Sequence, residues 1–214
     1  TRAYASYGEG FRGPTLNEQF SPGFGGQYAG NPDLKPEESR SAELGLEISP
    51  GAGQQIKANA YSTRISNLIS FTGVDFQAQN IAKARIDGIE LAYDKQSGPW
   101  QMSLAYTWQD PRNEETGTPL LRRPEQKFAG SLDRVFGDSA RFGFELFHSG
   151  ERRDVAGIKL QPYTLVNLRG SWEFSPHWSM VARLENIGNV DYELAYGYNT
   201  PGQSALLEVV WSGN

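Results

Sequence analysis

Gly8-Glu-Gly-Phe-Arg-Gly13 follows a strand-like opening segment and has the spacing G-x-G-x-x-G. In a dinucleotide site those glycines let the backbone approach a pyrophosphate, and the last one opens a helix whose N-terminus meets the negative charge. Here Pro14 follows, and Thr15-Leu-Asn-Glu-Gln-Phe20 offers neither a helical run nor a strand–helix–strand setting. The segment is read as a loop. The two histidines, His148 and His177, stand at no metal-ligand spacing from another donor. His177 falls in a turn between Pro176 and Trp178, and His148 shares the parity of Phe142, Phe144 and Leu146, which places it at an outer rim. Without His148 no Ser/His/Asp arrangement can be assembled. Asp33, Asp75, Glu114 and Glu115 do not follow the D-x-[DN]-x-[DN]-G calcium pattern and are read as solvated loop charge. No catalytic residue, metal or cofactor is expected.

The bulk properties narrow the class further. The chain has 214 residues, no cysteine and a formal charge of -5, so thiolate chemistry and disulfides are excluded and a nucleic-acid partner is disfavoured. The mean hydropathy is -0.55. No stretch approaches the roughly 18 to 20 continuous apolar residues of a membrane helix. A membrane strand escapes that test, because only about half of its residues meet lipid.

The elements that carry any loop chemistry are strands of that kind. In Trp100-Gln-Met-Ser-Leu-Ala-Tyr-Thr-Trp108, large apolar groups alternate with small or polar ones. A period of two puts Trp100, Met102, Leu104, Tyr106 and Trp108 on one face. Eight rises of about 3.3 Å, tilted roughly 40°, cover on the order of 20 Å of barrel axis, close to the apolar band of an outer-membrane barrel with an aromatic girdle at each rim. Val166, Leu168, Trp172 and Phe174 oppose Asn167, Arg169, Ser171 and Glu173 in the same way. Glu43, Glu47, Glu90, Asp133, Arg183 and Glu185 also sit opposite apolar faces. A charged face repeated over most strands points to a polar lumen.

Ten strands are expected: 1–7, 41–48, 55–69, 81–93, 100–109, 127–136, 141–149, 163–174, 178–186 and 205–211. Short connections at 49–53, 96–99, 137–139 and 175–177 alternate with long ones at 8–38, 71–80, 110–125, 150–162 and 188–202. Up-and-down barrels with short periplasmic turns and long extracellular loops give that alternation, and Greek-key sandwiches do not. The expected fold is all-β: an antiparallel up-and-down transmembrane β-barrel, about ten strands of a larger one.

Four segments carry a resemblance. Glu185-Asn-Ile-Gly-Asn-Val-Asp-Tyr-Glu193 with Tyr196-Gly-Tyr-Asn-Thr-Pro-Gly202 resembles the last hairpin of TonB-dependent outer-membrane receptors, and within that family the cobalamin (vitamin B12) receptors most. Asp110-Pro-Arg-Asn113 with Thr118-Pro-Leu-Leu-Arg-Arg-Pro-Glu-Gln126 is similar to an inter-strand connection of the same receptors. Asn31-Pro-Asp-Leu-Lys-Pro-Glu-Glu38 and Ala84-Arg-Ile-Asp-Gly-Ile-Glu90 resemble segments that recur across the family.

The resemblance implies the C-terminal part, residues 1–214, of a 22-stranded barrel, without the N-terminal plug that contacts TonB. It also implies the bacterial outer membrane as the location. The implied partners are cobalamin or a similar large solute, TonB through the plug, and outer-membrane lipid; an iron siderophore is the alternative ligand. Candidate ligand contacts are Arg122, Arg123, Tyr196, Tyr198 and Asn199 on the long loops. The arginines would donate to a phosphate, amide or carboxylate, and the tyrosines would stack. Their competing role is bracing between loops, including pairing with Glu114 or Glu125. A ten-stranded outer-membrane hydrolase and a passive porin remain further alternatives. The family usually ends on an aromatic residue, whereas Ser212-Gly-Asn214 continues past Trp211, and the 150–162 loop is short for a cobalamin receptor.

Overall fold

A computed structural model describes residues 1–213. In chain order the strands are β1 (Arg2–Arg12), β2 (Glu37–Ile48), β3 (Gln54–Thr72), β4 (Gln77–Ser97), β5 (Trp100–Asn113), β6 (Gln126–Phe136) and β7 (Ala140–Ser149). Two-residue strands β8 (Arg152–Arg153) and β9 (Lys159–Leu160) come next, then β10 (Tyr163–Ser175), β11 (Trp178–Glu185) and β12 (Ser204–Trp211). The ten long strands make one antiparallel sheet in which sequence neighbours are sheet neighbours, and β8 and β9 pair apart from it. Among the described residues β1 pairs only with β2, and β12 only with β11, so the sheet is open at both ends.

All ten expected strands are present. Several run further than the alternation reached. β4 continues to Ser97 at the short-turn end, but most extensions lie at the end that carries the long connections: β1 to Arg12, β3 to Thr72 and β5 to Asn113, with β4 starting at Gln77. There the outward positions become Glu9, Arg64, Asp87 and Arg112, so the hydrophobic period disappears while the backbone ladder continues. A second departure is a short helix, α1 (Leu16–Phe20), where a loop without helical structure was expected. The Thr15 side chain accepts from the Glu18 backbone N–H and the Glu18 carboxylate accepts from Thr15, a reciprocal cap that stabilises a single turn. It leads into no parallel strand, and the nucleotide reading stays excluded.

The register sorts the side chains into two faces. Trp100 lies opposite Ser97 and Arg134, Leu104 opposite Tyr93 and Gly130, and Trp108 opposite Ile89 and Gln126. Phe144 lies opposite Leu132 and Leu168 on the same side. Among the described residues nothing covers this apolar face: Trp100, Trp108 and Phe144 remain 42%, 41% and 39% exposed. So large a contiguous apolar surface needs a lipid or protein cover. At the end with short turns Trp100, Phe136, Trp172, Phe174, Trp178 and Trp211 gather, and the Arg134 guanidinium lies 5.1 Å over the Trp100 ring and 4.8 Å over Phe136. Such amphipathic pairs mark a membrane interface.

The opposite face is polar and internally paired. Arg169 donates to both oxygens of Asp133 at 3.1 and 2.8 Å and meets Glu145 at 2.5 Å. Gly143 lies between Asp133 and Arg169 in the register, and a Cβ there would strike both side chains. Its missing side chain is the passage through which the ion pair closes. Tyr4 covers Gly45 and donates to Asn59 at 2.7 Å, while Tyr61 covers Gly88, so each ring occupies the space left by a strand glycine.

Two small clusters of buried hydrophobic side chains form where the long connections fold back on the sheet. Leu34 packs with Ile69 and Ala78, and Leu120 packs with Ala84 and Ile86. Ala84 and Ile86 belong to the polar-side parity of β4, so the loop carrying Leu120 leans over that face. These anchors place the site.

Candidate functional site

The long loops are tied together by a carboxylate. Asp154, in the connection between β8 and β9, is fully buried. One of its oxygens accepts from Arg122 Nε at 2.9 Å and from the Val155 backbone N–H at 2.7 Å. The other accepts from the Tyr196 backbone N–H at 2.7 Å. Burial pushes the Asp154 carboxyl upward, but the two backbone donors and the Arg122 guanidinium outweigh it and hold the group below the ordinary carboxylate value. Three loops, 114–125, 150–162 and 186–203, therefore converge on one charge.

Arg122 thus braces. It pairs with Asp154 rather than with Glu114 or Glu125, and its backbone N–H donates to the Arg153 carbonyl at 2.7 Å. Its φ of 59° lies in the left-handed region, uncommon for a residue with a side chain. Arg123 instead lines a hollow of about 330 Å³ with Pro119, Gln126, Glu151, Arg152 and Arg153. Among the described residues it makes no ion pair. Tyr196 contributes its backbone to the brace while its side chain stays 56% exposed. Tyr198 is 71% exposed, and Asn199 bridges back to Glu193 at the base of the same hairpin. The structure thus brings Arg122 and Tyr196 together through Asp154, sets Arg123 beside them on a hollow, and leaves Tyr198 and Asn199 outward on the final loop.

Residues that the alternation did not single out complete the site. Arg152 is buried, lies 5.0 Å over the Tyr163 ring and donates to the Glu193 carbonyl at 2.9 Å. Among the described residues its Nε has no hydrogen-bond partner. Tyr163 stacks on Tyr192 at 4.4 Å, extending this support under the last loop. The available signal was the charge run Glu151-Arg-Arg-Asp154 after Gly150, in a loop where only the length was read. Next to it, Phe71, Phe76, Leu121, Val155 and Arg153 line a more apolar hollow of about 410 Å³.

On the other side of the mouth, Arg12 makes paired hydrogen bonds of 2.8 to 3.0 Å to Glu18 and Glu37. Glu37 also accepts from the Ile69 backbone at 2.8 Å. The Gly8–Gly13 segment that resembled a nucleotide motif supplies this loop clamp. His148 lies on the apolar face against the Thr164 hydroxyl at 2.9 Å, and His177 sits in the β10–β11 turn against the Ser212 carbonyl at 3.1 Å. Among the described residues no group of three or more His, Cys, Asp or Glu is arranged to hold a metal.

Solved structures share this architecture. The copper transporter OprC superposes with a TM-score of 0.80 at 23% identity over 99% of this chain and 37% of its own. The ferric enterobactin receptor PfeA from Pseudomonas aeruginosa gives 0.77 at 21% identity over 98% and 38%. The ferric-catecholate import receptor Fiu from E. coli gives 0.72 at 18% over 98% and 32%. The chain thus spans about a third of the length of these neighbours. Across residues 1–187, from β1 to just past the end of β11, the sequence matches the TonB dependent receptor-like β-barrel model, and the chain belongs to that family of bacterial outer-membrane proteins.

Proposed function

We propose that this chain is the C-terminal wall of a TonB-dependent receptor that captures a large, scarce solute on its long loops, cobalamin being the preferred ligand. The observation that carries the reading is the meeting at Asp154. Arg122 lies in Thr118–Gln126 and Tyr196 in the segment ending at Gly202, the two segments whose sequences resemble cobalamin receptors, and both bind one buried carboxylate. A receptor for a bulky ligand needs its loops held at fixed spacing, since flexible loops must be ordered at a cost in affinity.

Arg123 would donate to an acceptor on the ligand, and Tyr196, Tyr198 and Asn199 would contact its flat face and polar rim. The polar face of the sheet would meet the plug, because a charge such as Asp133 or Glu90 needs water or a polar partner against it. Pulling on that plug by TonB would release the solute inward; the chain's own residues supply capture and passage, not bond chemistry. A siderophore is the second reading, favoured by the neighbours named as ferric-catecholate and enterobactin receptors.

The test is binding of radiolabelled cyanocobalamin to the full-length receptor in outer-membrane vesicles, with ferric enterobactin as competitor. Cobalamin is expected to bind without displacement by the siderophore, and Arg123→Ala with Tyr198→Ala is expected to weaken it by about tenfold or more. Absence of cobalamin binding with retention of a ferric siderophore would replace the first reading by the second.

A further inference from the structure

Four arginines stand side by side on the lipid-facing parity of the sheet, beyond the apolar band. The register aligns Glu9 with Arg40, Arg40 with Arg64, Arg64 with Arg85, and Arg85 with Arg112 across β1 to β5. Neighbouring strands lie about 4.8 Å apart, so the four guanidinium stems occupy a row about 15 Å wide. On β4 the outward positions run Tyr93, Leu91, Ile89, Asp87, Arg85, and on β5 they run Leu104, Tyr106, Trp108, Asp110, Arg112. The row therefore lies four residues above the last large apolar side chain, about 13 Å along the strand and about 10 Å along the barrel axis. That sets the backbone of the row just above the headgroup layer, which long arginine side chains reach by turning back toward it, at the end of the sheet that carries the long loops.

Like charges directly opposite each other across strands are destabilising, and here three such pairs follow one another. Carboxylates neutralise only part of the row. Arg40 pairs with Glu9 at 3.2 Å, Arg85 with Asp87 at 2.7 Å and Arg112 with Asp110 at 2.7 Å. Arg64, in the middle between two arginines, makes no ion pair among the described residues and is exposed. Arg40, Arg64 and Lys83 line a hollow of about 670 Å³ together with Glu9, Glu38 and Glu114. The acids flank; the centre of the row is cationic.

From this geometry we infer that the Arg40–Arg64–Arg85–Arg112 row is a binding surface for phosphate-bearing lipid headgroups of the outer leaflet. Guanidinium forks meet phosphate oxygens two at a time, and arginines near an anionic lipid surface are attracted to it. A bound phosphate between Arg40, Arg64 and Arg85 turns the cross-strand repulsion into shared attraction. The acyl chains of the same lipid would run down over Ala42, Leu44, Ala60 and Ile89, the outward residues below the row.

The experiment is native mass spectrometry of the full-length receptor in detergent, titrated with phosphatidic acid, with diacylglycerol of the same acyl chains, and with inorganic phosphate. The wild type is expected to retain phosphatidic acid at least about tenfold more strongly than diacylglycerol. Arg40→Gln, Arg64→Gln and Arg85→Gln together are expected to abolish that preference. The lumen-parity variant Lys57→Gln is expected to keep it. Should the triple variant lose its heat-modifiable electrophoretic shift, the mark of a folded barrel, Arg64→Gln alone carries the test and is expected to weaken retention several-fold. Equal retention in variant and wild type overturns the proposal. So does displacement of the lipid by millimolar inorganic phosphate, which would make the row a site for free anions, or self-association of the receptor through this face in place of lipid retention.

Discussion

Asp154 concentrates at one residue what the loops need. It satisfies three donors while excluded from water, so replacing it leaves the Tyr196 and Val155 amides and the Arg122 guanidinium without their acceptor. In the full-length receptor Asp154→Ala is expected to cost about 2 kcal/mol locally, read as a roughly 30-fold loss of hydrogen-exchange protection at those two amides, with the sheet amides unchanged. Loss of protection throughout the sheet would mean that Asp154 supports the barrel itself. The pH dependence has a definite sign. The folded carboxyl lies below its unfolded value, so its contribution is complete above about pH 4 and is lost as pH falls through the folded value. Loop protection is expected to be flat from about pH 5 to 8 and to drop below about pH 4; a drop between pH 6 and 7 would assign the clamp to another group. Little of this was legible in the sequence. Arg122 and Tyr196 were visible as candidates, but their shared partner lies 32 and 42 positions away along the chain. No periodic signal links residues in irregular loops. The Thr15–Glu18 cap, by contrast, was readable from its own spacing and was missed because one turn of helix has no apolar period.

Strands were the readable level, because a sheet with lipid on one side and water on the other writes its environment into every second residue. On β5 that pattern makes a sharp prediction. Leu104→Arg places a charge near the middle of the apolar face and is expected to cost about 2–4 kcal/mol in reversible unfolding of the full-length receptor in lipid vesicles. Ser103→Arg, one position along and on the polar face, is expected to cost under about 1 kcal/mol. Equal costs would mean that the two faces meet similar surroundings. Gly143 is the matching test of the polar face: Gly143→Ala is expected to separate Asp133 from Arg169 and destabilise by about 1–3 kcal/mol. Combined with Arg169→Ala, the two costs are expected to add to less than their sum, because the ion pair that the methyl separates is already lost. The alternation failed chiefly above the membrane, where Arg64, Arg85 and Arg112 face outward from continuing strands. There the outer environment is polar as well, and a two-sided polar strand has no hydrophobic period to read.

At the scale of the molecule the decisive feature is that, among the described residues, β1 and β12 each have one neighbour. Their outer backbone groups would lie in hydrocarbon, where every unsatisfied N–H or C=O costs several kcal/mol. A β12 that ends on Leu207, Val209 and Trp211 facing lipid adds an apolar edge with no charged residue but Glu208 to discourage pairing. Closing the ten strands on themselves would satisfy both edges, but a ten-stranded barrel has a narrow interior. Lined by Asp133, Glu145, Arg169 and Arg183, it would leave little room for the loops that lean over the mouth at Leu120. The edges are therefore expected to be met by further strands. Refolded alone into lipid vesicles, the 214-residue chain should form heterogeneous, protease-sensitive assemblies. Adding the remaining barrel strands of the receptor as a separate polypeptide should convert it to a resistant, heat-modifiable form. A monodisperse, protease-resistant monomer of the chain by itself would show that β1 and β12 find each other, and would move the solute pathway out of a large lumen and onto the loops alone.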